Sequence, residues 1–381
     1  MTSGTAADAS SQDALDRLAN LLPEFSARAG GHDATDEFVD QNYAALKGAQ
    51  LMSLAVPREL GGHGIQLPEL SNALKRIAHS CASTALAFAM HTHIVASLAW
   101  NWRHHRAPVA SLLRRIAKNQ LVLATSNGSD WLDSSGTARR VQGGFVIDAT
   151  KRFVSGAAAS DLLVTSAIYE HPQGGPTVLH FIMPIGASNV TVKSSWHAMG
   201  MRGTGSNVIQ IKELFVSDGM IIARRPPGKW DVPYHVAVMI ALPLIYSVYL
   251  GIAEAARNAA LELTRRRDKT AQCLALAGEM DSNLHTARIA VEDMLTGASG
   301  TPGPSTTNRI FMDRTLATQS ALAAVEKALE LAGGAGFMRT HPIERMFRDI
   351  QAARFHPLSI SAQRAFAGRM AFDVDIDGPI P

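Results

Sequence analysis

Apolar residues recur at spacings of three and four from Asp13 to about Lys118, as in Leu15, Leu18, Leu21 and Leu22 and again in Phe38, Tyr43 and Leu46. That spacing lays one apolar stripe along each of a series of helices. Asp33 or Thr35 is expected to cap the second helix and Gly48 to stop it, and Pro68 opens the third, where a missing N–H costs least. Near Leu121 the texture changes to short runs rich in valine, isoleucine, threonine and phenylalanine. These predict strands at Leu121–Thr125, Arg139–Val141, Phe145–Asp148, Leu162–Ile168, Thr177–Met183, Val190–Ser194 and Val208–Val216. No helix-length segment separates them, so the sheet is expected to be antiparallel, without βαβ crossovers. After Arg224 to Gly228 helical spacing returns, in pieces near Tyr234–Arg267, Ala271–Leu295, Thr307–Ala332 and His356–Phe372. The expected fold is α+β and multidomain: an N-terminal α-helical domain (1–119), a middle β domain (120–225) and a C-terminal four-helix bundle (226–381).

Composition narrows the function. Lysine plus arginine number 36 and aspartate plus glutamate 33, a near balance that offers no footprint for a nucleic-acid backbone. With 18% charged and 46% apolar residues the chain suits packed helices and surface buried between subunits. Cys81 and Cys273 stand far apart, so neither a disulfide framework nor a cysteine zinc site is encoded, and a reducing, cytoplasmic setting is expected. The N-terminus has no basic and then apolar stretch of the signal-peptide kind. Val236–Ala253 runs 18 residues without a charge, which reaches the lower limit for a membrane span. Pro243, Ser247, Tyr246, Tyr249 and Gly251 interrupt it, and a buried helix is the expectation.

Several common sites are missing. GTGSNV at Gly203 and GAGFMR at Gly334 lack the third glycine of a dinucleotide fingerprint. No P-loop, H-E-x-x-H, G-x-S-x-G or calcium loop is present, and His91, His93, His104 and His105 have no partner at metal-ligand spacing, so no metal is expected. Four longer strings carry a resemblance. They are VPRELGGHGI from Val56, ATKRFVSGAAASDLLVTSA from Ala149, SWHAMGMRGTGSNVIQIKELFVSD from Ser195 and LAGGAGFMRTHPIERMFRDIQ from Leu331. In this order and spacing they resemble the acyl-CoA dehydrogenase superfamily of FAD flavoproteins over nearly the whole chain.

The resemblance implies FAD between the β domain and the C-terminal helices. Phe153 takes the place of the family tryptophan that packs on the flavin ring, work an aromatic face can do by stacking. Ser155 matches the hydroxyl residue that bonds the flavin near N5. The family's TEPxAGSD turn is represented by TSNGSD, two residues shorter, in which Thr125 and Ser129 remain able to bond the flavin ring and pyrophosphate. Gly333, Gly334 and Gly336 would let backbone approach the diphosphate of a neighbouring subunit's flavin. The arginine that grips that pyrophosphate falls on Arg267, although Thr270 and Ala271 replace the phenylalanine and glycine that follow it in the family. Arg265, Arg266 and Arg267 could equally serve a helix dipole. Glu330 stands where the family has glutamine.

The departure that bears on chemistry is the catalytic base. In the dehydrogenases a glutamate eight residues after the RD aspartate removes the thioester α-proton, and eight after Asp349 is Pro357. An alternative position, Ala241, is also empty. The motif continues as Ser359, counted with the cofactor-binding residues, and Gln363–Arg364, so the register holds. His356 could replace the glutamate as general base, or act as proton donor beside a flavin reacting with oxygen; it could also only cap the last helix. His93 is a weaker candidate. The leading expectation is dehydrogenation of an acyl-CoA or other thioester with a relocated base, passing electrons to an electron-transfer flavoprotein. The alternatives are a monooxygenase of the same fold, using FAD or FMN reduced by a flavin reductase, and a catalytically silent paralogue. A homodimer or homotetramer is expected.

Overall fold

A computed structural model describes residues 4–126 and 128–377. The first layer is helical: α1 (Gly4–Thr35), α2 (Asp40–Gly48), α3 (Leu67–Ser80), α4 (Ala82–His105) and α5 (Ala110–Asn119). Pro68 sits in the first turn of α3, as its missing N–H requires. Asp33 and Thr35 do not cap α2. They end α1, and the Asp33 carboxylate accepts two hydrogen bonds, at 2.6 and 2.8 Å, from Arg348. The reason is continuity: α1 keeps its apolar face, Leu18, Phe25 and Ala29, buried through to its last turns.

The strands are β1 (Leu123–Thr125), β2 (Thr137–Val141), β3 (Gly144–Val154), β4 (Leu162–His171), β5 (Gly175–Pro184), β6 (Val190–Lys193), β7 (Asn207–Ser217) and β8 (Ile221–Arg225), with a short helix α6 (Gly128–Asp133) after β1. They form one sheet in the order β6-β7-β3-β2-β4-β5-β8, with β1 also on β4. Most pairs are antiparallel, but β1 and β2 share one edge of β4 in short parallel pairings, Leu123↔Leu162 and Thr137↔Ile168. β8 was hidden in the sequence because its IIARR reads as the end of a strand block and carries two arginines. The sheet has its own core, built on Phe145, Ile147, Leu163, Phe181, Ile209 and Val216.

The last layer is α7 (Val232–Thr264), α8 (Ala271–Gly297), α9 (Pro304–Ala332), α10 (Pro342–Ile350) and α11 (Ile360–Ala371). α7 holds the uncharged run and packs against α3, α4, α8, α9 and α10, so it is a core helix. Its most apolar window is 83% buried, and that of α4, also long and apolar enough to cross a membrane, is 67% buried. Gly251 lets α7 touch α3: a Cβ there would stand 2.6 Å from the Lys75 carbonyl oxygen. Ser71 and Ser247 hydrogen-bond across the same seam at 2.6 Å. The two helical blocks therefore share one hydrophobic core running from Leu18 to Phe366. Both cysteines are free thiols.

Candidate functional site

The expected site residues fall in three places. At the rim of the β domain, the β3–β7 register slips between Lys151 and Val154, and Phe153 takes a left-handed backbone with φ +57°. The slip turns its ring out of the sheet, 55% exposed, with its edge to Trp196 at 6.3 Å between centroids. Two residues on, Ser155 Oγ lies 2.8 Å from Ser206 Oγ, which lies 2.8 Å from Thr204 Oγ1, and Thr204 donates to the Met201 carbonyl at 2.9 Å. With Thr204's one proton on Met201, Ser206 must donate to Thr204 and Ser155 to Ser206. Ser155 then presents lone pairs outward, as an acceptor.

Thr125 ends β1 and its hydroxyl donates to the Ser126 carbonyl at 3.2 Å. Ser126 donates at 2.7 Å to Asp130, whose carboxylate is held at 2.9 Å by the fully buried Lys151 ammonium. Burial lowers the Lys151 pKa, against the pull of Asp130. The shortened TSNGSD turn is thus stiffened by a buried ion pair and carries α6 in place of a plain loop. Ser129 belongs to α6, and its side chain lies outside the described ones.

The second place is the end of α9. Gly333 leaves that helix with φ +64°, and Arg267 Nη1 donates to the Ala332 carbonyl at 3.1 Å. Arg267 and Gly333 are therefore neighbours, with Gly334 next in the chain. Arg265 is the C-cap residue of α7, and Lys269 closes the same end, donating to the Thr264, Arg265 and Arg267 carbonyls at 2.9, 3.1 and 2.6 Å.

The third place holds the chemistry. His356 does not cap α11; Ser359 does, its Oγ accepting from the Ala362 N–H at 3.2 Å, while it also meets Ser361 at 3.0 Å. His356 lies instead in the turn between α10 and α11, with its ring 5.5 Å from that of Tyr249 on α7. Its carbonyl accepts from Arg314 Nη2 at 2.5 Å, and the same nitrogen reaches the Ala353 and Arg354 carbonyls at 3.3 and 3.4 Å. Burial, the Arg314 charge and then His93 push His356 down to about 3. His93, on α4, is pushed by burial to about 4 against a hydrogen bond from its Nδ1 to the Ala89 carbonyl at 2.9 Å. Since a carbonyl only accepts, Nδ1 carries the proton and Nε2 offers a lone pair. Burial raises the Tyr249 hydroxyl well above the ordinary phenol range, and that oxygen has no partner among the described residues. Among the described residues no carboxylate is a cause of the His356 shift, and Pro357 and Ala241 supply none.

His91, two residues before His93, is a core residue, bonded to the Met52 carbonyl at 2.8 Å and to the Leu123 N–H at 3.0 Å. Among the described residues no group of three histidine, cysteine or acidic side chains could hold a metal ion. Arg314 went unnoticed in the sequence, and Tyr249 was read only as an interruption of the uncharged run. Arg314 had a visible signal: it is a charge on the buried α9 face made by Ile310, Phe311, Ala317, Thr318 and Ala321.

Comparison with known proteins agrees with this geometry. The patterns described as acyl-CoA dehydrogenase N-terminal, middle and C-terminal domains match residues 14–102, 125–214 and 244–359. The amino sugar nitrososynthase DnmZ of Streptomyces peucetius is 28% identical over 91% of this chain and 90% of its own length. A dibenzothiophene monooxygenase of Mycolicibacterium goodii is 27% identical over 86% of this chain and 85% of its own. The structure of KijD3 in complex with FMN and dTDP-3-amino-2,3,6-trideoxy-4-keto-3-methyl-D-glucose superposes with a TM-score of 0.89 at 26% identity, covering 97% of this chain and 95% of that one. The chain belongs to the acyl-CoA dehydrogenase family and is a flavin-dependent oxidoreductase of that fold.

Proposed function

We propose that the protein is a monooxygenase that uses reduced flavin and O2 to oxygenate a nucleophilic heteroatom, an amine nitrogen or a sulfur, in a small molecule. The carrying observation is the surroundings of His356, where burial lowers the pKa of two histidines, a buried tyrosine and an arginine stand near the ring, and among the described residues no carboxylate is a cause of its shift. Dehydrogenation of a thioester needs a group that takes the α-proton. Protonating a ring with a pKa about four units below neutrality costs roughly 5 kcal/mol at pH 7, which makes His356 a poor substitute for glutamate. Oxygen transfer needs the opposite: neutral groups that orient an oxygen and a substrate by hydrogen bonds.

The residues fit a flavin. Phe153 offers an exposed ring on a strained strand end, Ser155 an outward acceptor suited to an N–H of reduced flavin, and Arg267 with Gly333 and Gly334 a cationic, open-backbone end for a phosphate. We assign FMN in preference to FAD, in line with the FMN named in the KijD3 complex. Thr125, Ser129 and Ser359 are the other proposed contacts. When bound, reduced flavin supplies two electrons and two protons, so that one atom of O2 enters the substrate and the other leaves as water. His93 Nε2 would accept from a substrate amine or hydroxyl, and the neutral His356 ring would hold the reacting oxygen side. A separate reductase would deliver the reduced flavin. Phe337, 80% exposed beside the Gly333 to Gly336 turn, supports burial against a second copy of the chain.

The test is to supply the purified protein with FMN, a flavin reductase and NADH under 18O2, with a panel of amines and sulfides. A product heavier by one 18O atom, absent without the protein, is expected. Oxidation of the reductant with no labelled product from any substrate class would overturn the reading.

A further inference from the structure

Arg314 is the largest fully buried side chain among the described residues, and none of the ion pairs among them includes it. Nη2 reaches three carbonyls, Nε and Nη1 have no partner among the described residues, and the guanidinium lies 5.6 Å from the Tyr246 ring. A cation buried this way costs several kcal/mol, of which a cation–π contact and carbonyl ends return only part. A neutral amide could make the same hydrogen bonds at lower cost. The charge itself therefore calls for a role, and the carbonyls it grips belong to the turn that carries His356.

We propose that Arg314 is a positioning residue for His356: it pins the 353–356 turn against α9 and sets a positive charge, with no carboxylate partner among the described residues, at the His356 carbonyl. The groups facing that ring are Arg314 from α9, His93 from α4 and Tyr249 from α7. Arg314 supplies the fixed positive charge among them, and an opposing carboxylate is absent from the groups acting on the ring. Tyr246 completes the clamp, donating to the Ala353 carbonyl at 2.9 Å from the other side. The proposal rests on the oxygen-transfer reading in taking His356 as the working ring, but its test does not depend on turnover.

The test follows the His356 ring by NMR in flavin-loaded, 13C-histidine-labelled protein, the signal assigned with His356→Asn, for wild type, Arg314→Gln and Arg314→Lys. The wild-type ring is expected not to titrate down to pH 4.5. In Arg314→Gln its midpoint should rise from about 3 by about one unit or more, so that at pH 4.5 roughly a quarter of the ring or more is protonated against a few per cent in wild type, with the acid limb of any turnover moving the same way. In Arg314→Lys the charge remains, so the ring should stay untitrated while amide exchange across 353–356 quickens. An unchanged midpoint in Arg314→Gln overturns the proposal. If Arg314→Gln does not fold, Arg314→Lys decides alone: an ordinary titrating ring there overturns it equally. Loss of oxygenation with the expected ring titrations would count against the proposed reaction and leave the Arg314 assignment intact.

Discussion

Replacing Glu254 by glutamine should weaken the protein in a way that fades in acid. Glu254 stands on α7 and gathers His79 at 3.0 Å and Lys75 at 3.8 Å from α3 and Arg288 at 3.0 Å from α8, with 13% of its side chain exposed. Burial pushes its carboxyl up, but the hydrogen bonds from His79 and Arg288 and the Lys75 charge outweigh burial and bring it to about 2 from an ordinary 4.5. A folded pKa below the unfolded one stabilises above the unfolded value and is lost as pH falls through the folded one. The shift of about 2.5 units corresponds to about 3.4 kcal/mol at pH 7, falling to about 1.4 kcal/mol at pH 3. His79 and Arg288 are themselves 36% and 41% exposed, so the pH 7 figure is a ceiling. Urea unfolding of wild type and Glu254→Gln at both pH values measures it: the gap should be about twice as large at pH 7 as at pH 3 or more. An equal gap at both would refute the argument, because it would show that the carboxylate contributes packing alone.

Three further outcomes follow from other contacts. Lys151→Met removes the buried partner of Asp130 and should cost about 3–5 kcal/mol, read as a drop in unfolding midpoint, with a matching loss of flavin retention at the Thr125 turn. Gly200→Ala would put a Cβ 2.2 Å from the Arg348 carbonyl oxygen and 2.6 Å from the Asp349 N–H nitrogen, so it should lower soluble yield or midpoint by separating the Met201 loop from α10; an unchanged midpoint would refute that seam. Arg267→Ala should weaken FMN binding about tenfold, near 1.4 kcal/mol, in a fluorescence titration, and unchanged affinity would remove Arg267 from the phosphate site.

The layers of the fold were legible because the two textures differ so plainly: α3, α4, α7 and α9 announce themselves by spacing, and β4 and β5 by short runs rich in valine, isoleucine, threonine and phenylalanine. α10 was not, since PIERMFRDI is nine residues, too short for periodicity to separate it from the motif that contains it. The site was legible as strings rather than as geometry. TKRFVS placed Phe153 and Ser155, yet only the register slip of β3 exposes the ring, and only the Thr204–Ser206 ladder sets which way the Ser155 proton points. Likewise the missing glutamate at Pro357 was visible in one dimension, while the surroundings of His356 come from α4, α7 and α9, whose approach no local spacing encodes. The proposed function departs from a relocated base at that step: sequence offers a titratable residue, and burial beside Arg314 lowers its pKa to about 3.

The most direct measurement of the central claim is anaerobic. Oxidised, flavin-loaded protein is mixed with acyl-CoAs of short, medium and long chain, and the flavin absorbance is followed by stopped flow. An enzyme without an α-proton acceptor should leave the flavin oxidised with every thioester. Bleaching by any of them at a rate competent for turnover would contradict the account and restore dehydrogenation.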